Sequence, residues 1–222
     1  MKELSLDHST VITQNKESQA SISPKLAIDF LKAGNRRFVE NQKHHRDLIS
    51  QVKQTTKGQY PFASIISCID SRIPTELVFD QGIGDMFNTK IAGNFVNADI
   101  LGSLEFSCKL AGAKVIVVMG HTSCGAVKGA CDHAELGNLT QMLDKIAPAV
   151  NAIKTAPGVD RSSGNLDFVN TVSAENVRLN IQRIKMESPV LKDMYDKGEI
   201  DIVGAMYDVA TGKVQFFEES NV

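Results

Sequence analysis

Two short stretches of this chain concentrate the side chains that could do chemistry. One is Ser67-Cys68-Ile69-Asp70-Ser71-Arg72; the other is Gly120-His121-Thr122-Ser123-Cys124-Gly125. Together Cys68, His121 and Cys124 make a soft to borderline S₂N donor set, the kind that Zn²⁺ favours. The His-x-x-Cys spacing at a strand-to-helix turn lets both side chains reach one ion, and glycines at 120 and 125 are expected to relieve backbone crowding there. Three protein ligands leave the fourth tetrahedral position open, the mark of a catalytic rather than a structural metal site. Each piece alone has a plainer reading. A cysteine flanked by apolar residues is usually a buried small hydrophobe, and Cys68 and Cys124 could pair as a disulfide. Asp70 and Arg72 could be a capping carboxylate with a surface ion pair. Cys108, in the helical run Leu104 to Cys108, reads as core. Cys131 with Asp132 and His133 offers too few ligands for a second site, and His44-His45 reads as a solvated pair.

The elements around these stretches decide between the readings. Ala63 to Ser67, Met86 to Ile91 and Val115 to Met119 are short apolar runs, the last of them β-branched and uncharged, as expected of strands inside a parallel sheet. Helical spacing is expected over Pro74 to Asp80, Asp99 to Leu110, a segment starting after Cys124, Asn138 to Thr155 and Leu166 to Lys185. A weaker helix covers Asp47 to Lys57. Ser23-Pro24 reads as an N-cap and first helical position, opening an amphipathic helix through Leu26, Ala27, Phe30, Leu31 and Phe38. Ile200 to Tyr207 and Val214 to Phe217 are expected to close the chain as a hairpin turning at 208–213. Residues 1–23, rich in Ser, Thr, Gln, Asn and Lys, read as a flexible N-terminal tail, leaving 24–222 as a single domain. Alternating strands and helices predict an α/β fold: a mostly parallel central sheet flanked by helices, with an N-terminal helical arm and a C-terminal hairpin. In such sheets functional groups collect beyond the carboxyl ends of strands. Both reactive stretches fall there, so both are expected to face one crevice.

Composition narrows the function classes. The 222 residues are 42% hydrophobic and carry 24 basic against 26 acidic side chains, a formal charge of −2. That near-neutral balance supplies no field to attract phosphate backbones or anionic lipid, so neither nucleic acid nor membrane is expected as a partner. No apolar run approaches the roughly 20 residues of a membrane span. Four cysteines and no apolar leader stretch point to a reducing, cytoplasmic setting in which thiols stay free.

Cys-Ile-Asp-Ser-Arg at 68–72 and Gly-His-Thr-Ser-Cys-Gly at 120–125 resemble the paired zinc signatures of the β-class carbonic anhydrases. The likeness runs from Ser23 to Phe217 and takes in 79–85, Ala92-Gly93-Asn94, 102–106, Glu175-Asn176-Val177 and 203–208. It implies reversible hydration of carbon dioxide to bicarbonate and a proton, with one Zn²⁺ per chain held by Cys68, His121 and Cys124 and with Asp70 and Arg72 as the catalytic dyad. It further implies that Asp70 serves as a fourth zinc ligand only in a closed state. The bicarbonate pocket tied to that state uses a tryptophan, an arginine and a tyrosine. This chain has no tryptophan, Lys90 replaces the arginine and Tyr207 is retained, so an open site is expected at neutral pH. Phe87, Phe95 and Val96 are the expected lining of the carbon dioxide pocket. A homodimer or dimer of dimers is implied, with the helix from Pro24 to Asn41 as the arm on the partner. The same scaffold leaves two rivals: hydrolysis of carbon disulfide or carbonyl sulfide, and a non-enzymatic zinc-carrying structural protein.

Overall fold

The computed structural model describes residues 13–218. Five strands form one sheet in the order β2-β1-β3-β4-β5: β1 (Ala63–Ser67), β2 (Met86–Lys90), β3 (Val115–His121), β4 (Asp201–Tyr207) and β5 (Val214–Phe216). The first four run parallel, and β5 turns back antiparallel on β4 as the expected hairpin. Every residue of β1 and β3 is buried, which explains their largely apolar runs: a strand covered on both faces gains from apolar residues at most positions. Alternate residues feed two cores. Ile65, Val117 and Met119 pack with the helices on one face, while Ile66, Ile116 and Val118 pack with those on the other.

Among the described residues ten α-helices supply those layers. The chain begins with α1 (Lys16–Ser21), α2 (Pro24–Val39) and α3 (Leu48–Gln54). Between the strands come α4 (Thr75–Val78), α5 (Ala98–Glu105), α6 (Gly125–Cys131), α7 (Gly137–Leu143), α8 (Ala147–Ala152), α9 (Leu166–Glu187) and α10 (Pro189–Asp196). The α5 helix runs on into a π-helical turn at Phe106–Leu110. Ser23 caps α2 through its hydroxyl, with Pro24 in the first turn. That helix lays Ala27 and Leu31 into its own domain, so the arm is anchored on one face by its own chain. The long α9 crosses from one core to the other, with Val169 and Val172 in the first and Val177, Ile181 and Ile184 in the second.

Three expectations change. The expected tail is not uniformly a tail: residues 16–21 form α1, capped by Asn15, while 1–12 lie outside the described residues. The anchor is Gln19, whose buried amide donates to the carbonyls of Pro61 and Ala111, each at 2.7 Å. A hydropathy reading has no signal for a polar side chain that satisfies buried backbone oxygens. The helix expected over 138–155 is two, broken at 144–146, because Pro148 fits only the first turn of a helix, here α8. The helix expected at 74–80 shortens to α4, because Asp80 takes a left-handed φ of 46°.

Candidate metal centre

The sheet brings the two reactive stretches together. Ser67 pairs with Met119, so Cys68 leaves β1 beside the residues that end β3. His121 is the last residue of β3 and pairs with Tyr207 of β4. Cys124 sits at the head of α6, after a turn in which Ser123 adopts a φ of 57°. The amide of Asn170, on α9, fixes that turn by accepting from the Ser123 N–H at 2.9 Å. A side chain at Gly120 would press within 2.8 Å of Met206 and Val177, whereas one at Gly125 would meet nothing within 4 Å. Crowding therefore explains the first glycine and not the second.

Cys68, His121 and Cys124 are all buried, and their ligand atoms lie within 4.8 Å of one another. The two sulfurs stand 3.9 Å apart. A disulfide requires about 2.05 Å, while two sulfurs at about 2.3 Å from one tetrahedral ion stand about 3.8 Å apart. All four cysteines are free thiols, so the disulfide reading is set aside. His121 Nδ1 is 2.9 Å from the Thr122 carbonyl oxygen, which assigns the ring proton to Nδ1. Nε2, fully buried, has no hydrogen-bond partner. A buried imidazole nitrogen with a free lone pair, facing two sulfurs, is the arrangement a zinc ion satisfies and a plain core does not.

The electrostatics agree with that fit. Cys68 is held down to about 4, chiefly by the hydrogen bond from Cys124, with help from the N–H of Gly93 against the cost of burial. Cys124 is pushed the other way by the same sulfur and by burial. Two thiolates at this spacing repel, so the pair carries one negative charge until a cation sits between them. Cys108 lies apart, in the second core, with burial pushing its thiol up to about 11. Cys131 packs in the first core and its thiol is likewise raised by burial.

Asp70 and Arg72 form a two-pronged pair beside the triad. Arg72 Nε donates to Asp70 Oδ1 at 2.9 Å and Nη2 to Oδ2 at 2.7 Å, and the Arg72 backbone N–H also reaches Oδ1. The Arg72 guanidinium holds the Asp70 carboxyl well below the usual carboxylate range. Asp70 Oδ2 stands 4.0 Å from His121 Nε2, at the rim of the triad. Two side chains that the sequence reading placed elsewhere brace this turn. Lys90 Nζ donates to the Ile73 carbonyl at 2.7 Å, and the Tyr207 hydroxyl reaches the Arg72 carbonyl at 3.3 Å.

The cavity beside the triad differs from the expected one. It measures about 270 Å³ and is lined by Cys68, Asp70, Ile69, Ala92 and the small residues of α6, closed by Leu139, Met142 and Leu143 of α7. Phe87, Phe95 and Val96 are not among its walls. Phe87 stacks edge-on with Phe106, and Phe95 and Val96 are buried in the two cores.

The comparisons accord with this geometry. The carbonic anhydrase family profile matches residues 63–214. A carbonic anhydrase of Mycolicibacterium smegmatis is 34% identical over 199 residues, covering 87% of this chain and 93% of the relative. Carbonic anhydrase 2 of Mycobacterium tuberculosis is 32% identical, covering 86% and 91%. Among solved structures, a tetrameric β-carbonic anhydrase of Sordaria macrospora superposes with a TM-score of 0.66 at 20% identity, over 86% of this chain and 96% of that one. A Coccomyxa β-carbonic anhydrase bound to acetazolamide gives 0.67 at 20%, over 83% of each. These structures share the fold. The chain belongs to the β-class carbonic anhydrase family.

Proposed function

We propose that the chain catalyses the reversible hydration of carbon dioxide to bicarbonate and a proton, at one zinc ion held by Cys68, His121 and Cys124. The observation that carries this reading is the buried triad, with a partnerless His121 Nε2 facing two sulfurs 3.9 Å apart. When bound there, zinc supplies a Lewis acid that makes a nucleophile of water near neutral pH. The chain's own residues do the rest. The Thr122 carbonyl keeps the His121 ring proton on Nδ1, so Nε2 remains a ligand. Arg72 keeps Asp70 ionised, and an ionised carboxylate only accepts hydrogen bonds. Oδ2 can therefore take the hydrogen of the reacting water and turn its lone pair towards the substrate. Since both Asp70 oxygens are engaged by Arg72, the dyad stays off the metal, which favours an open site at neutral pH.

Stopped-flow hydration with a pH indicator tests this. The zinc-loaded protein should accelerate hydration far above buffer. No acceleration, joined to release of hydrogen sulfide from carbonyl sulfide or carbon disulfide, would favour the sulfur-analogue rival. Failure with all three would leave the zinc-carrying structural reading.

We also propose a homodimer or dimer of dimers. The α3 residues Leu48, Ile49 and Val52 are exposed together, and a contiguous apolar face of this kind commonly meets a partner. Sedimentation at micromolar concentration should give a multiple of the chain mass; a single-chain particle would contradict it. No described helix is long and apolar enough to cross a membrane. Two free sulfurs in close approach suit a reducing cytoplasm, where they stay available to the metal.

A further inference from the structure

Resting on that reading of the site, we propose that α9 orients the metal ligands from behind, and that Asn176 is the positioning residue for Cys68, acting through the N–H of Gly93. That N–H donates to Cys68 Sγ at 3.4 Å, and Asn176 Nδ2 donates to the Gly93 carbonyl oxygen at 2.8 Å. Gly93 cannot aim its own N–H. It sits at a φ of 78°, and a Cβ there would come within 2.3 Å of Ile146, so only glycine fits. Glycine has little preference between its left- and right-handed wells. The direction of the N–H is therefore set from outside, by what holds the loop. Two side chains of α9 hold it: Asn176 at the Gly93 carbonyl, and Asn180, whose Oδ1 accepts from the Val96 N–H at 2.8 Å.

The two amides fix each other's orientation. A backbone N–H only donates, so the Asn180 oxygen must face Val96. That turns Asn180 Nδ2 towards Asn176, where it donates to the main-chain oxygen at 2.7 Å and to Oδ1 at 3.1 Å. Asn176 is left with its nitrogen facing Gly93, and the order of donors and acceptors runs unbroken from Val96 to the sulfur. Asn176 and Asn180 are 1% and 2% exposed, a depth at which an unpaired amide is costly. Earlier on the same helix, Asn170 accepts from the N–H of Ser123, next to Cys124. One helix thus holds the backbone behind both sulfurs. The stretches at 92–94 and 175–177 supply no ligand to the triad; their contact with each other ties α9 to Cys68. Groups that orient a ligand in this way govern how tightly the metal is held.

The test uses the full chain loaded in turn with zinc, cobalt and cadmium-113. In the cadmium form of the wild type, the Gly93 amide proton should show a nuclear spin coupling to the metal, carried through the N–H···S bond. Asn176→Leu, which keeps the heavy-atom branching and removes the donor, should lower zinc affinity about ten- to hundredfold. It should also move the sulfur-to-cobalt absorption band to longer wavelength, because a sulfur without its donor gives up an electron more readily. Ile181→Ala, fully buried on the same helix, is the control. It should lower the melting temperature comparably while zinc affinity and the cobalt band keep their wild-type values. No coupling in the wild type, or Asn176→Leu with wild-type affinity and band, would overturn the inference. An equal band shift in Ile181→Ala would do the same, by making the effect one of general loosening. The coupling needs no variant, so it decides the matter even where Asn176→Leu does not fold. A wild type that takes up no zinc would fail the reading of the site and this inference together. A zinc-binding wild type that Asn176→Leu matches would fail this inference alone.

Discussion

Cys124→Ala should yield a folded chain that holds no zinc after dialysis and hydrates carbon dioxide at the buffer rate. The three ligand atoms come from the end of β1, the end of β3 and the head of α6, and no fourth Cys, His, Asp or Glu joins that group among the described residues. Removing one thiolate leaves a single sulfur and one imidazole, too few for a protein zinc site. The fold should survive, because the substitution deletes one small buried atom at the head of α6, and the Cys68 sulfur keeps the N–H of Gly93 as a hydrogen-bond donor. Metal analysis and a melting curve check both halves. Cys108→Ala and Cys131→Ala are the controls. Those cysteines are equally buried, yet they sit in ordinary core, so zinc content and rate should stay at wild-type values. A Cys124→Ala chain that kept its zinc would remove the triad from the account.

Asp70→Asn should keep the zinc and lower kcat by about 10² to 10⁴, the usual range for a lost proton-handling group. The asparagine amide cannot accept two prongs from Arg72. It also presents a donor on one side, so the reacting water loses its fixed acceptor. The pH profile separates this role from a merely structural one. Because Arg72 depresses the Asp70 pKa, the carboxylate is fully ionised above the ordinary carboxylate range and becomes protonated only well below it. Its titration therefore cannot set a rate inflection near neutrality. Asp70→Asn should lower the plateau and leave the inflection where it was. An unchanged plateau would make the dyad a bystander, and a shifted inflection would mean that Asp70 governs the acidity of the reacting water.

Much of this architecture was written in local pattern. β1 and β3 show as apolar runs because both faces are covered, and the chemistry follows because it begins on the next residue after each run. The capping signal at Ser23-Pro24 reads correctly, and the same signal at Ser188-Pro189, where the Ser188 hydroxyl accepts from Leu191, marks α10, a helix the apolar spacing did not disclose. What escaped local reading was assembled across distance. The cavity wall at Leu139, Met142 and Leu143 reaches the site only through the breaks before and after α7. Phe87 lies on the edge strand β2 and stacks with Phe106, outside the cavity beside the triad. Lys90 and Tyr207 were expected to matter through a lost anion pocket; their visible contacts are instead with the backbone of the Asp70–Arg72 turn.

On the proposed reading, one zinc at the Cys68–His121–Cys124 triad produces the activity. Metal-stripped protein titrated with zinc, with stopped-flow carbon dioxide hydration read at each step, tests it most directly. The rate should climb linearly and stop at one zinc per chain, with the Cys124→Ala chain flat throughout. Hydration that persists without zinc, or a chain that takes up its zinc and stays at the buffer rate, would contradict it.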